Sequence, residues 1–422
     1  MNVPVPHGAV GVPGFREFVT LIAAFMAAQA LAIDAMLPAL PSIARALDLV
    51  NENHRQWVIS SYVVGLGFGQ LFWGLLSDRF GRRPVLIGGL ALYTIAAILC
   101  SLAASFGTLL AWRCMHGLAA ASMVVARSVI RDLYSGRSMA RVMSLTFIVF
   151  LMVPIVAPSI GQLILMVAPW RNIFMLFGVF GALVGLWAAL RLPETLHPEY
   201  RMTLSVQNFR RAAKLVLTTR MSICYTLAQT LLLGSLMSYI GTIQQIVSDV
   251  YHRGPWMPTL FALSAVAMGW TSYLNSRVVE RVGMRFIAHT ALLTFVFLAL
   301  LQLSVAMLHA EPLWAFVFFQ SASLASFGLA ISNFGAIAME PLGAVAGVGA
   351  SLQGFISQFF SALIGALIGR QFHGTTVPLA VGVLWCSLGA LLFTLLAENG
   401  RLFRPHDRNL GDALTAGIDT HV

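Results

Sequence analysis

The chain has 422 residues, of which 58% are hydrophobic and only 10% are charged, and its formal net charge is +10. An ordinary soluble protein carries about 25% charged residues, so this composition excludes a water-soluble globule. Twelve spans of about 20 residues each would use about 240 residues, more than half of the chain. The composition therefore predicts an all-α polytopic membrane protein.

Apolar runs divide the chain into twelve predicted membrane helices, because they are long and lack the alternation of β-strands. The first six lie near 18–40, 55–76, 84–104, 106–130, 140–166 and 170–191. The other six lie near 221–246, 256–277, 285–308, 312–335, 345–370 and 374–397. We therefore expect an N-terminal segment (1–17), a six-helix bundle (18–192), a linker (193–220), a second six-helix bundle (221–397) and a tail (398–422).

The first apolar run leaves one alternative open. Residues 18–28 follow Arg16 and end in an Ala-Gln-Ala sequence, a pattern typical of a signal-peptidase site. The apolar run continues to Leu40, however, and cleavage would leave an odd number of spans. A retained membrane helix is therefore the preferred interpretation.

The basic residues fall mainly on one side of the predicted membrane. Of the 26 lysines and arginines, 20 lie in segments on the side of the N-terminus, five lie on the other side, and Arg113 lies within a span. Positive charge accumulates on the cytoplasmic side of membrane proteins. This distribution predicts that both termini are cytoplasmic, and it accounts for the net charge without nucleic-acid binding.

The linker contains a predicted amphipathic helix. Val206, Phe209, Ala213 and Val216 fall on one helical face, and the basic residues of the segment lie away from that face. Such a pattern is typical of a helix that lies on the membrane surface against anionic lipid.

Two connectors repeat one pattern about half a chain apart. Gly74–Arg83 joins the second and third predicted helices, and Ser276–Arg285 joins the eighth and ninth. An acidic residue, an arginine, a glycine and a further arginine recur at the same spacing. Duplicated halves are typical of transporters, which bind their substrate where the repeats meet.

The first connector resembles the inner-loop signature of the major facilitator superfamily. Gly74 allows close helix packing, and Gly81 allows a tight turn. Asp78 is expected to accept hydrogen bonds from helix N-termini or from arginines across the interface between the halves, and so to latch one conformation. The alternative is that the arginines only set the topology. The residues assigned to this latch are Gly74, Asp78, Arg79, Gly81, Arg82 and Arg83.

Further segments resemble the twelve-helix drug:proton antiporter branch of that superfamily, of the bicyclomycin/chloramphenicol-resistance (Bcr/CflA) type. They are Ala32–Pro41 with Asp34, Arg113–Gly117, Val153–Gly161 with Pro154, Pro158 and Gly161, and Ala126–Asp132, whose Arg131 and Asp132 extend the latch. The resemblance covers residues 18–397. It implies a major facilitator fold of two pseudo-symmetric six-helix bundles in a bacterial inner membrane, and a role for Arg113 in proton coupling.

Asp34 and Arg113 are the candidates for proton coupling on physical grounds as well. They are the acid and the arginine that sit well inside predicted spans, and either charge alone in lipid costs about 2.5–3.5 kcal/mol. At about 1.5 Å per residue, Asp34 lies about 24 Å along its helix and Arg113 about 20 Å above the inner surface. We therefore expect the two to face one interior cavity, where they can pair. The alternative is a static buried ion pair that fixes packing.

Four polar residues are candidates for lining a mostly apolar substrate cavity: Gln29, Tyr62, His116 and Gln358. For each of them the alternative is hydrogen bonding between helices. His116 lies one turn from Arg113, so it is either a titrating group or a satisfied interior histidine.

Together these features predict a proton-coupled antiporter that exports small amphipathic compounds, including antibiotics, by alternating access. The sequence has no phosphate-binding loop and no metal-ligand spacing, so we expect no cofactor and no metal. The expected partners are a small-molecule substrate, the proton and the bilayer, and the expected state is a monomer. The alternatives are a dedicated exporter of one metabolite and a non-transporting membrane sensor or scaffold. An intramembrane enzyme would need clustered catalytic groups, and the sequence offers only Asp34 and His116.

Overall fold

The computed structural model describes residues 13–197, 199, 206–308 and 311–403. Parts of the predicted N-terminal segment (1–12), linker (198 and 200–205) and tail (404–422) lie outside the described residues. Within the described ranges the chain is helical and contains no β-strand. This agrees with the all-α class expected from composition.

Twelve long helices follow one another in the described residues, and ten of them are long and apolar enough to cross a membrane. The first six are α1 (Phe15–Asp34), α2 (Trp57–Phe80), α3 (Arg82–Ser101), α4 (Phe106–Ala120), α5 (Gly136–Val167) and α6 (Arg171–Arg191). The other six are α7 (Arg220–Gln245), α8 (Met257–Val282), α9 (Met284–Met307), α10 (Leu313–Met339), α11 (Ala346–Gly369) and α12 (Val377–Ala397). Most helix ends lie within a few residues of the predicted ones.

Helix α1 is shorter than the predicted run. It ends at Asp34, and the chain continues through a 3-10 turn (Leu37–Ala39) into a short helix (Leu40–Ala46). Pro38 and Pro41 have no N–H to donate, so each interrupts the helical hydrogen-bond ladder. The interruption leaves Asp34 in the last turn of α1. Helix α4 is likewise extended, through a 3-10 turn, by the helix Val125–Leu133.

The two halves of the chain pack against each other through four helices. α2 packs against α11, and α5 packs against α8. Within the first half, α2 also packs closely against α4, where a Cβ at Gly65 or Gly117 would overlap a backbone carbonyl oxygen of the other helix. Glycines at these positions let the two backbones approach closely. This approach places α2 directly beside Arg113 on α4.

Two tight turns mark one end of the molecule, which we call the connector end; the opposite end is the far end. Gly81 separates α2 from α3, and Gly283 separates α8 from α9. Their φ angles are +105° and +90°, values that favour glycine because a Cβ would be strained there. The internal repeat seen in the sequence is therefore present in the backbone.

The linker helix (Val206–Thr218) docks on protein. Val216 is fully buried and packs in one cluster with Leu342, Leu352 and Ile356, near the connector ends of α10 and α11. We expected the apolar face of this helix to lie against lipid. That expectation is wrong at Val216, because Val216 packs against the apolar surface of α11 and of the segment before it. Arg210, Arg211 and Lys214 are exposed.

Candidate functional site

Arg113 is fully buried in α4, and backbone carbonyl groups hold its guanidinium. Its Nε donates to the carbonyl oxygen of Val58 at 3.0 Å, and Nη2 donates to that of Ala32 at 3.1 Å. Nη1 donates to Nδ1 of His116 at 3.2 Å. Because arginine has no acceptor, Nδ1 accepts and the imidazole proton lies on Nε2. One cation thus ties together α1, α2 and α4.

Aromatic rings enclose this cation. The guanidinium carbon lies 4.4 Å from the ring centre of Tyr62 and 5.6 Å from that of Phe174, distances at which a cation is attracted to the ring face. The ring of His116 lies 4.1 Å from that of Tyr93. Nε2 of His116 has no hydrogen-bond partner in the part of the chain that the structure describes. The surroundings of Arg113 are therefore dry and largely apolar.

Helix α1 supplies backbone acceptors to three side chains of the site. The Tyr93 hydroxyl donates to the carbonyl oxygen of Ala28 at 2.9 Å, and the Tyr62 hydroxyl donates to that of Gln29 at 3.2 Å. Arg113 donates to Ala32 one turn further on. The carbonyls of Ala28 and Gln29 can accept a second hydrogen bond beside the helical one, and that of Ala32 lies in the last turn of α1, where carbonyl groups have no helical donor.

Asp34 lies one half-turn beyond Ala32 and is 5% exposed. No hydrogen bond or ion pair to its carboxylate is formed by the described residues, so the expected Asp34–Arg113 pair is absent in this structure. Three of the five N–H groups of Arg113 are instead engaged by Val58, Ala32 and His116. The site therefore holds a cation and an unpartnered acid in one half of the molecule.

The helix-five motif lies next to the acid. Pro154 and Pro158 lie inside α5, and Pro158 is buried. Gly161 touches the carbonyl group of Ala35, and a Cβ there would overlap its oxygen. The residue that follows Asp34 is thus in direct backbone contact with α5. Because α5 also packs against α8 of the other half, this motif joins the surroundings of Asp34 to the interface between the halves.

The cavity candidates divide into two groups. Tyr62 and His116 are buried and contact Arg113, and Gln29 is half-buried on α1 beside them. Gln358 is half-buried on α11, in the other half of the chain. No hydrogen bond within the described residues connects it to the other three. The structure therefore brings three of the four candidates together.

The connector Gly74–Arg83 forms a charge cluster within its own half. The Arg82 guanidinium contacts Asp78 through Nη1, and its Nε donates to Asp132 at 3.0 Å. The carboxylate of Glu194 accepts from the backbone N–H of Arg82 at 2.8 Å. It also lies against Gly81, where a Cβ would overlap it. The expectation that Asp78 bonds across the interface is wrong for this arrangement, because Arg82, the first residue of α3, contacts Asp78 across the Gly81 turn.

The remaining latch residues make local contacts. Nη2 of Arg83 donates to the carbonyl oxygen of Ala189 at 2.7 Å. Arg79 lies over the ring of Phe80 at 5.3 Å, and Arg131 donates to Ser128 at 3.3 Å. Of the latch residues, Gly74 lies against the other half: a Cβ there would lie 3.3 Å from Oγ of Ser351 on α11.

A second charge cluster, missed in the sequence, lies at the connector end of the other half. Arg285 donates to Glu340 and to Glu398, each at 3.0 Å. Glu398 also accepts from the hydroxyl of Tyr225, which hydrogen-bonds to Nε2 of His289 at 2.8 Å. Glu398 follows α12 as Glu194 follows α6, so the internal repeat would have revealed both acids. Glu280, the acid of the second connector, is exposed.

The far ends of the two halves are joined by polar contacts. Nη2 of Arg55 donates to Asp249 at 2.9 Å, and the Arg55 side chain is 3% exposed. The Asn53 side-chain amide donates to the carbonyl oxygen of Phe372 at 2.7 Å and accepts from Gln245 at 2.9 Å. The far end is therefore closed, while α2 and α11 remain in contact toward the connector end.

Comparison with known proteins gives the family. The model of the Major Facilitator Superfamily matches residues 20–366. The chain belongs to the major facilitator superfamily. This agrees with the resemblance found in the connector and in helices one, four and five. A member of this superfamily is a multi-pass membrane transporter that binds small-molecule substrates. Family membership therefore excludes the alternative of an intramembrane enzyme.

Relatives of this transporter include proteins named for drug resistance. It is 29% identical over 353 residues to a bicyclomycin resistance protein homolog of Haemophilus influenzae, covering 82% of this chain and 87% of that one. It is 28% identical over 381 residues to the multidrug resistance protein MdtL of Escherichia coli, covering 89% and 94%. It is also 28% identical over 366 residues to the MFS-type transporter YdgK of Bacillus subtilis, covering 86% and 90%.

Solved structures share the fold of this transporter. A D-xylose–proton symporter superimposes with a TM-score of 0.70 at 13% identity, over 90% of this chain and 97% of that one. The human organic anion transporter MFSD10 superimposes with a TM-score of 0.69 at 17% identity, over 91% and 100%. At these identities the likeness establishes the major facilitator fold of two six-helix bundles and nothing about the substrate.

Proposed function

We propose that this transporter exports small amphipathic compounds, including antibiotics, in exchange for protons. The proposal is supported by relatives named for multidrug and bicyclomycin resistance. It is also supported by the placement of an acid and an arginine inside one bundle, away from water. In this proposal the protein is a monomer of the bacterial inner membrane. Its connector end and both termini face the cytoplasm, where 20 of the 26 basic residues then lie.

Asp34 carries the transported proton in this scheme, and its unpartnered burial is the observation on which the scheme rests. Ionisation of a buried carboxyl without a partner is costly, so Asp34 holds a proton while Arg113 is occupied by carbonyl oxygens. When α1 or α4 shifts, Arg113 exchanges a carbonyl ligand for the carboxylate, which favours the ionised form. Alternating these two surroundings alternates the affinity for the proton, which is what an antiporter requires.

The two ends of the molecule open in turn. The far-end contacts of Arg55 and Asn53 hold the outer side closed, and the Arg82 cluster with Asp78, Asp132 and Glu194 stiffens the connector end of the first bundle. Substrate enters between the bundles from the cytoplasmic side, beside Tyr62, Gln29 and Gln358. Proton binding at Asp34 from the outer side then resets the cycle. The latch residues set the balance between the two states.

The decisive experiment measures proton movement in inverted membrane vesicles. With wild type, adding a substrate such as chloramphenicol to vesicles that hold a pH gradient is expected to release protons. Asp34→Asn is expected to reduce this signal to background, because the amide cannot carry a proton, and Asp34→Glu is expected to retain part of it. Asp48→Asn is the matched control, since Asp48 is an exposed acid of the connection after α1.

Expression and detergent Tm of each variant show whether it folds. If Asp34→Asn folds and still moves substrate as well as wild type under an imposed pH gradient, the proton scheme is wrong. If wild type responds to one compound in a broad antibiotic panel and to no other, the protein is a dedicated exporter instead. A chain that folds but moves no compound would be a sensor or scaffold.

A further inference from the structure

The second bundle contains a small internal cavity of about 20 Å³. Its polar walls are Ser235 and Tyr239 of α7 and Gln320 and Ser323 of α10, and its apolar walls include Phe295 of α9 and Phe327 of α10. This volume is sufficient for one water molecule, and a water in such a place needs two to four polar partners. The four polar side chains satisfy that requirement.

One wall of the cavity carries an unused hydrogen-bonding group. Ser323 is 3% exposed, and its Oγ has no hydrogen-bond partner in the part of the chain that the structure describes. Buried hydroxyl groups in proteins are almost always satisfied by protein or by ordered water. Ser122 gives an instructive contrast: its Oγ is also unpartnered, but it is pressed against Gly89, where a Cβ would overlap it. Ser122 has no room beside it, whereas Ser323 faces a cavity.

The cavity is lined by α7 and α10, the helices of the second bundle that correspond in chain order to α1 and α4 of the Arg113 site. Arg113 lies seven residues after the first residue of α4, and Gln320 lies seven residues after the first residue of α10. Asp34 and Tyr239 each lie nineteen residues after the first residue of α1 and α7. The internal repeat thus places uncharged hydrogen-bonding groups where the first bundle has its acid and its cation.

A chain of hydrogen bonds leads from this cavity to the far end. The Gln320 side-chain amide donates to Oε1 of Gln302 at 3.1 Å, and Gln302 donates to Oε1 of Glu311 at 3.3 Å. Glu311 lies in the connection between α9 and α10 and also accepts from the hydroxyl of Thr376. Glu311 is half-buried, so this chain reaches the edge of the solvent.

We propose that this cavity is a binding site for one ordered water molecule, which extends the hydrogen-bond chain of Glu311, Gln302 and Gln320 into the second bundle. The water donates to or accepts from Ser323 Oγ and its polar neighbours, which satisfies the buried hydroxyl. The second bundle thereby holds a hydrated, neutral counterpart of the charged site in the first. The site does not depend on which substrate the transporter carries.

The direction in which Ser323→Ala changes Tm tests whether the water is present. If the cavity holds water, Ser323→Ala removes one of the water's partners, and Tm is expected to fall by about 1–3 °C in detergent. Ser122→Ala is the matched control: it deletes an unpartnered hydroxyl with no space for water, so its Tm is expected to stay equal or rise. A Ser323→Ala variant with Tm equal to or above that of wild type would mean an empty cavity and would overturn the proposal.

Radiolytic hydroxyl labelling of the full chain tests the water site directly, because radicals form from water beside the labelled ring. Tyr239 and Phe295 are expected to be labelled well above Phe334, a buried ring of α10 that does not line the cavity. Labelling no greater than that of Phe334 would overturn the water site.

Discussion

Arg55 just before α2 and Asp249 just after α7 form an ion pair of 2.9 Å that joins the two bundles at the far end. Arg55 is almost fully buried there, and its Nε has no partner among the described residues. A buried cation that loses its carboxylate partner is strongly destabilised. The pair is therefore a condition for keeping the far end closed.

Removing Asp249 is expected to open the far end. With spin labels at exposed Val50 and His373, which lie on different halves at this end, Asp249→Asn is expected to add a population at longer distance. Glu52→Gln is the control: Glu52 contacts Arg55 at 3.4 Å from the same segment, so its loss leaves the cross-half pair in place. Equal distance distributions for wild type and Asp249→Asn would contradict a gating role.

Glycine contacts between α2 and α4 are expected to be indispensable. Gly117→Ala would place a Cβ on the carbonyl oxygen of Tyr62, a rigid backbone atom that cannot move aside, and the helices would have to separate. We expect a fall in Tm of several degrees and loss of transport. Gly88→Ala is the matched control, because nothing lies within 4 Å of its added Cβ. There the change is expected to be neutral or stabilising by about 0.5–1 kcal/mol.

The ligands of Arg113 predict how substitutions there behave. Lysine carries the same charge but a single ammonium group, which cannot reach Val58, Ala32 and His116 in the geometry of a guanidinium. Arg113→Lys is expected to lower transport at least tenfold and to lower Tm as well. His116→Gln is expected to retain transport, because an amide oxygen can accept from Arg113 as Nδ1 does, whereas His116→Leu is expected to lose it. Substrate efflux from cells with matched expression decides between these outcomes.

Glu311 is expected to make stability depend on pH. It lies outside the membrane helices, and burial raises its pKa above the ordinary value of 4.5, although the Thr376 and Gln302 hydrogen bonds act in the opposite direction. The folded protein thus binds this proton more tightly than the unfolded chain does. The stabilisation is complete below about pH 4.5 and is lost as pH rises through the folded-state pKa.

Thermal unfolding measured at several pH values checks whether stability falls as the pH rises. Wild type is expected to lose more stability than Glu311→Gln between pH 4.5 and pH 8, because the amide of the variant does not titrate. Thr376→Ala is a useful second variant, since it removes a hydrogen bond that favours the ionised carboxylate and is expected to move the transition to higher pH. Parallel pH profiles for wild type and Glu311→Gln would contradict the prediction.

The arrangement of spans was predictable from the sequence because membrane helices are long, apolar and uniform in period. The position of Arg113 inside α4 was predictable for the same reason, whereas Asp34 lies at the end of α1 because the helix stops before Pro38. Their separation was not predictable, because the competing ligands of Arg113 are backbone carbonyl groups of Val58 and Ala32, which every residue carries. A sequence shows which side chains carry opposite charges and can pair. It does not show which backbone carbonyl groups the fold brings closer to the arginine than the acid.

Only part of the charge clusters at the connector end was predictable, because some of their residues are distant in the sequence. Asp78 and Arg82 stood out because they share one short connector. Glu194, Glu340 and Glu398 lie at the ends of other helices, and only the fold brings them to Arg82 and Arg285. Comparing the two halves residue by residue would have found Glu194 and Glu398, since each follows the last helix of its bundle.

The main-chain ligands of Arg113 also bear on how this protein can evolve. The carbonyl oxygens of Val58 and Ala32 remain in place whatever side chains stand at those positions. Substitutions along the walls of α1 and α2 can therefore change which compounds are accepted without removing the anchors of the cation. The side chains along α1 and α2 can therefore diverge in small steps over many generations while the anchors of Arg113 stay in place.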